Sequence, residues 1–302
     1  MWLGVGDEEG SRALDEALDS GLTFVDTALV YGDGHSERCI AQRLAERSDR
    51  AWVVVATKIP PKDLVWPGLA STALGRTFPA RHLVRSVEES LRNLRLDALP
   101  LEQLHVWNDA WLDDPEWGET RGAMERLKKS GKVLHWGVSV NDHVPRTAMR
   151  LLSDPLVETA QVIYNIFDRS PERGLFDLAR ENDLGVIARV PFDEGALTGG
   201  VGPDTVFPRG DWRERYFRGE RKAEAARRAK ALQQLLGDEA ATLPELALRF
   251  CLSRPEVSTV IPGMRRVKHA RDNTAVSDGR RLSPELLGRL EAHAWEKNWY
   301  GG

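Results

Sequence analysis

Cysteine is scarce in this chain. Its 302 residues include two, Cys39 and Cys251, far apart and without the spacing of a metal knuckle or a redox pair. A disulfide-stapled fold is excluded, and a reduced compartment is expected. Long apolar runs are missing as well: none nears the roughly 18 residues that span a bilayer, so no membrane partner is expected. The opening Met1-Trp2-Leu3-Gly4 lacks the basic and apolar regions of an export signal, and the expectation is a cytoplasmic protein. Nor is positive charge in excess: 42 Lys and Arg against 46 Asp and Glu give a net charge of −4, which argues against nucleic acid as a partner. No Gly-x-Gly-x-x-Gly follows an early strand, which counts against a Rossmann fold.

What is present is an alternation. With 41% apolar and 29% charged residues, the chain has the balance of a folded globular protein. Asp7 to Ser20 reads as a helix stopped by Gly21, and Leu22 to Asp26 as a short strand. A helix follows from Ser36 to about Ser48. Trp52 to Thr57 then reads as a fully buried strand, because its apolar run does not alternate. After a Pro- and Gly-rich loop, Leu83, Val87, Leu91 and Leu94 recur at helical spacing. Strands are expected at 101–107, 133–138, 160–163, 185–188 and 257–261, with helices at 124–131, 144–152, 171–182, from 242 and from 283. Such repeated units imply a parallel sheet with right-handed crossovers. The fold class expected is α/β, a (β/α)8 TIM barrel, with an open doubly wound sheet as the weaker alternative. No linker divides the chain, so one domain over residues 1–302 is expected.

In such a barrel the reactive groups gather at the C-terminal ends of the strands. Asp26, Lys58 and His105 each stand at or near the end of an apolar strand, where packing alone would not call for an ionisable group. Tyr31 lies on the loop after Asp26. A phenol is a poor proton donor at neutral pH unless a nearby ammonium favours the phenolate. A carboxylate holds that ammonium in place, and a histidine can hydrogen-bond a substrate oxygen. The four together suit protonation of a developing alkoxide, the second half of carbonyl reduction. No side chain supplies hydride, so a nicotinamide cofactor is implied.

The chain resembles the aldo-keto reductases. The resemblance is carried by Gly21-Leu22-Thr23-Phe24-Val25-Asp26-Thr27-Ala28, Tyr31-Gly32 with Ser36-Glu37, Ala56-Thr57-Lys58 and Gln103-Leu104-His105. Further along come Gly131-Lys132-Val133, Gly137-Val138-Ser139, Gln161 with Tyr164-Asn165, and Val260-Ile261-Pro262-Gly263 with Asn273. These stretches run in the family's order over nearly the whole chain. The resemblance places the family's catalytic tetrad on Asp26, Tyr31, Lys58 and His105. It implies that Ser139 and Gln161 hold the nicotinamide carboxamide. It also implies that Gly263, Arg265 and Arg266 serve the cofactor phosphate and that Asn273 meets its adenine end. The positive charge there, which includes Lys268, points to NADP(H), with NAD(H) as the alternative, and no bound metal is implied.

The sequence departs from the family's pattern in places. Val140 follows Ser139 where the family usually has Asn, and Asn141 comes one residue later. No aromatic residue marks the nicotinamide stack after the Gly185 strand; Arg189 stands near that place and a guanidinium can stack on a flat ring. Trp2 to Glu9 resembles the segment after the family's first barrel strand, so the chain is expected to lack that strand, with a shortened strand at Leu3 to Gly6 as the other reading. Trp66, Trp107 and Trp111 are expected to line an apolar substrate pocket. Trp212, Tyr216 and Phe217 are expected to pack a loop over the cofactor. The basic run from Arg213 to Lys230 is read as a solvated helix face. The expected partner is a small carbonyl or alcohol, with the oligomeric state left open. Two rival readings are a catalytically weak or inactive nucleotide-binding barrel and a barrel lyase or isomerase using Lys58 as a Schiff base.

Overall fold

The structure, a computed structural model, describes residues 6–300. The question of a shortened first strand at Leu3 to Gly6 therefore falls almost wholly outside the described residues. The chain divides into two compact units. One comprises Gly21–Val162 and Glu172–Val186; the other comprises Ile163–Pro171, Ile187–Gly302 and Met1–Ser20, of which residues 6–20 are described. Seven strands form one sheet in chain order, β1 to β7, and the pairings from β1 through β5 are parallel.

The first unit carries β1 (Phe24–Asp26), α2 (His35–Ala45), β2 (Val54–Ile59), the short α3 (Leu74–Thr77) and α4 (Ala80–Leu94). It continues with β3 (Leu99–Leu104), α5 (Trp117–Lys129), β4 (Val133–Ser139), nearly all of β5 (Val157–Ile163) and α6 (Leu175–Glu181). The periodicity seen in the sequence is what α4 buries: Leu83, Val87, Leu91 and Leu94 are all inside, each contributing about 1.5–3 kcal/mol on leaving water. Arg95 ends the helix in the left-handed conformation. Glycine is required at two places. Gly34, at φ 74°, begins α2, and a Cβ there would lie 2.3 Å from the Asn93 amide. In β4, a Cβ on Gly137 would come within 2.0 Å of Thr159 Oγ1 on β5, where the register also shifts.

Two expectations are corrected here. Strand β2 runs on through Lys58 and Ile59 because both keep parallel partners, Gln103 and Leu104, on β3. The helix expected over 144–152 is instead two 3-10 turns, Pro145–Ala148 and Leu151–Ser153. The Asp109 carboxylate takes the backbone N–H of Arg150 at 2.7 Å and of Leu151 at 3.1 Å, amides that an α-helix would have spent on its own carbonyls.

The second unit carries α1 (Asp7–Asp19), α7 (Trp212–Tyr216), α8 (Arg221–Gln233), α9 (Leu243–Leu252), β7 (Val257–Ile261), α10 (Val267–Thr274) and α11 (Pro284–Glu291); β6 (Gly185–Arg189) has residues in both units. Thr242 and Ser283 cap α9 and α11 as the sequence indicates. On α8 the basic residues are answered locally: Arg227 and Arg228 pair with Glu224, which holds that carboxyl down at about 2. Residues 163–169 have a structural role within this unit. Asn165 donates to the Val190 carbonyl and accepts from the amides of Phe167 and Asp168. Tyr164 stacks on Phe250 at 5.2 Å.

Candidate active site

The cluster begins at β1. Asp26 closes that strand, and Lys58 reaches it from β2, two residues beyond Ala56, the register partner of Asp26. Lys58 Nζ donates to Asp26 Oδ2 at 2.5 Å and to the Thr27 carbonyl at 2.7 Å. Its side chain is 1% exposed and that of Asp26 11%, so the pair is shielded from water. An ammonium taken out of water needs partners, and two oxygens supply them. The second carboxylate oxygen, Asp26 Oδ1, accepts from Gln161 Nε2 at 2.8 Å. Asp26 is thus fixed by groups on β2 and β5.

Tyr31 follows on the β1–α2 loop, where backbone bonds hold it: its N–H donates to the Ala28 carbonyl and its own carbonyl accepts from Ser36. Thr27 Oγ1 donates to Ser36 Oγ at 2.8 Å and closes the loop from the other side. Lys58 Nζ lies 5.4 Å from the centre of the Tyr31 ring. His105 comes directly after β3, with its N–H on the Ile59 carbonyl. Its ring meets Tyr31 edge-on at 6.0 Å and Trp66 at 5.9 Å. Tyr31 and Trp66 are each 40% exposed. A buried ion pair therefore underlies two rings that solutes can reach, with an imidazole between them.

Ser139 and Gln161 are register partners at the ends of β4 and β5, both buried. The Gln161 amide is engaged twice, to Asp26 and at 3.3 Å to Gln103 Oε1. Gln103, which opens the Gln103-Leu104-His105 stretch without an expected role, joins the cluster. It is buried beside Lys58 in register, and its Nε2 has no hydrogen-bond partner among the described residues. The signal was present: an amide in an apolar strand, two residues before His105 and so on the same face.

Asn141 has a different task from the one its position near Ser139 suggests. It accepts from the Gly68 N–H and donates to the carbonyls of Gly68 and Trp107, tying the loop that carries Trp66 to the end of β3. The expected pocket of three tryptophans is corrected. Trp107 and Trp111 are buried to 1% or less, packed with Phe78 and Trp117 at 5.2–6.5 Å. Trp66 alone of the three is half-exposed beside His105.

On the face of β2 and β3 opposite Lys58 and Gln103 lie two buried acids. Glu37 on α2 accepts from Thr57 Oγ1 at 2.6 Å and Asn93 Nδ2 at 2.8 Å. Glu102 on β3 has no side-chain hydrogen-bond partner among the described residues, and burial together with the Glu37 charge pushes its carboxyl well above the usual range.

The remaining candidates belong to the second unit. Arg189 ends β6, partly buried, with its carbonyl accepting from the Tyr164 N–H. Gly263 follows β7 with open space where a Cβ would stand. Arg266 caps α10 with extended backbone, and Arg265 and Arg266 together bring two guanidinium groups to that helix start. The first α10 amide, of Val267, donates to Glu9 Oε1 at 3.2 Å. Asn273 is buried in α10, and its Nδ2 has no hydrogen-bond partner among the described residues. The 191–219 segment packs its aromatics on the C-terminal residues: Trp212 stacks on Tyr300 at 5.0 Å, and Tyr216 and Phe217 sit edge-on to Trp299. Lys297 holds this end, paired with Asp193 at 2.8 Å and 4.1 Å from the Trp295 ring; burial pushes its ammonium down.

A strand-ordered α/β fold with a carboxylate, ammonium, phenol and imidazole gathered at strand ends defines a class, the (β/α)8-barrel oxidoreductases. The aldo/keto reductase family profile matches residues 2–294, and the chain belongs to that family. An NADH-specific methylglyoxal reductase of Escherichia coli is 26% identical, covering 89% of this chain and 84% of the relative. Among solved structures, the glycerol dehydrogenase of Gluconobacter oxydans is 27% identical with a TM-score of 0.77, over 96% of this chain and 86% of its own. An aldo/keto reductase of Klebsiella pneumoniae in complex with NADP and acetate is 26% identical with a TM-score of 0.66, over 97% and 87%. Among the described residues, no helix is long and apolar enough to cross a membrane.

Proposed function

We propose that this chain is a nicotinamide-dependent reductase of small aldehydes or ketones, with Tyr31 as the proton donor. The observation that carries the reading is the Lys58–Asp26 pair, sealed from water and lying under the Tyr31 ring. As a proton leaves the Tyr31 oxygen for the substrate alkoxide, negative charge develops on the phenol, and the fixed ammonium of Lys58 stabilises it. Asp26 keeps that ammonium aimed, and Gln161 and the Thr27 carbonyl keep Asp26 and Lys58 from turning away. His105, between Tyr31 and Trp66, orients the carbonyl oxygen by hydrogen bonding. The half-exposed Trp66 offers an apolar wall to the substrate's carbon chain.

The residues present fit a nicotinamide nucleotide. The orphaned amide of Asn273, the open space at Gly263 and the guanidinium pair before α10 are groups that gain partners from an adenine and a phosphate. Ser139 and Gln161 would hold the nicotinamide end. When bound, that cofactor supplies the hydride. The related proteins named for NADP and for NADH support either nucleotide, and NADP(H) is favoured by Arg265 and Arg266. The Schiff-base alternative is disfavoured because the Lys58 ammonium is committed to Asp26 and Thr27.

The test follows NADPH and NADH absorbance with a panel of aldehydes, using wild type and Tyr31→Phe. Oxidation that the variant loses supports the reductase. Nucleotide binding without oxidation by wild type would make the chain a binding protein. Turnover without nucleotide that borohydride traps would make it a Schiff-base enzyme.

A further inference from the structure

Helix α10 begins with its strongest feature for an anion already in use. Its first amide, Val267 N–H, donates to the Glu9 carboxylate of α1 at 3.2 Å. The second oxygen of Glu9 accepts from Arg12 at 2.7 Å. The Val267 amide foremost, with Arg12 and the charge of Arg266, holds this carboxyl below its ordinary range, so it stands as an anion at the helix start. One turn further on, Glu16 of the same α1 takes the guanidinium of Arg271 in a two-point pair at 2.9 and 3.0 Å. Helix α1 thus lays an acidic edge along the segment whose cations and first amide are the ones an anionic ligand would use.

NADPH and NADH differ by one phosphate, which carries about two negative charges at neutral pH. On the reading given above, that phosphate is neutralised by the α10 start. We propose that Glu9 is a specificity residue: its carboxylate occupies the Val267 amide, opposes the extra phosphate, and brings NADPH affinity down toward that of NADH. The charge of Glu9 acts on the phosphate that only NADPH carries, while its action on the pyrophosphate is common to both nucleotides, so the difference between them is selective. A merely structural Glu9, fastening α1 to α10, would influence both nucleotides alike.

Glu9→Gln separates the two roles. The amide oxygen still accepts from Val267 N–H, so the fastening stays and only the charge goes. Dissociation constants for NADPH and NADH are measured by calorimetric titration of wild type, Glu9→Gln and Glu9→Lys. Removing the charge should tighten NADPH about fivefold with NADH within twofold of wild type, and reversing it should widen the gap again. Salt should shrink the difference, since the groups lie near the surface. The inference is overturned if the NADPH-to-NADH ratio is the same in all three proteins, if both nucleotides shift together, or if NADPH weakens in Glu9→Gln. Binding of both nucleotides with an unchanged ratio sinks this inference alone. Binding of neither by wild type sinks the proposed function with it.

Discussion

Two charged regions of this protein are built in opposite ways. Around Asp26 and Lys58 every group is inside the strand ends and held by two or more partners, so the charges are few, shielded and fixed. Along α1 and α10 the charges are many and in water: the Arg271 side chain is 68% exposed and that of Lys268 80%. A shielded charge acts strongly on what comes next to it and cannot be exchanged cheaply. Exposed pairs are weak and substitutable. The first design suits chemistry that must be the same at every turnover; the second suits a preference that can be tuned.

Breaking the shielded region should have the largest effect. Lys58→Met removes the buried ammonium and strands Asp26, at a cost of about 3 kcal/mol in urea unfolding. The same variant should lose about 10²–10⁴ in turnover, since proton transfer loses its electrostatic support. A smaller effect is expected at Asn141, whose three hydrogen bonds hold the Trp66 loop. Asn141→Ala should cost about 2 kcal/mol, and KM for an aldehyde should rise severalfold while kcat moves little.

Glu102 sharpens the comparison from a third side, as a shielded acid without a paired cation among the described residues. Its folded-state carboxyl titrates above its ordinary value near 4.5, so above that pH the folded chain holds a proton that the unfolded chain has released. Folding stability contributed here is intact below about pH 4.5 and falls as pH rises toward the folded value. Glu102→Gln removes that loss. Melting curves of the variant and wild type should coincide near pH 4.5 and separate with rising pH, the variant melting roughly 2–4 °C higher at neutral pH. A wild type that gains on the variant as pH rises would refute the assignment. Least of all, Arg271→Ala, which breaks only the exposed pair with Glu16, should move the melting temperature by under about 1 °C.

The sequence made the shielded region readable because each of its members interrupts an apolar strand. Asp26, Lys58 and His105 stand out for that reason, and alternation would have added Gln103. Seven strands and most helices were readable from the same periodicity. What escaped depends on partners distant in the chain. Whether Trp107 and Trp111 face a pocket or the core is decided by Phe78 and Trp117. Whether 144–152 is a helix is decided by a carboxylate at Asp109. Asn141 looks like a displaced cofactor ligand until Gly68 is seen on both sides of its amide. The acidic edge of α1 has an ordinary helical pattern, and nothing local says that Glu9 meets Val267.

On the proposed function, the Lys58–Asp26 pair serves proton donation from Tyr31. The most direct test of that role is single-turnover reduction of an aldehyde by Tyr31→Phe at saturating nucleotide, with nucleotide affinity measured on the same sample. The expected result is affinity within twofold of wild type and a rate lower by at least about 10². Turnover by Tyr31→Phe at the wild-type rate would contradict it.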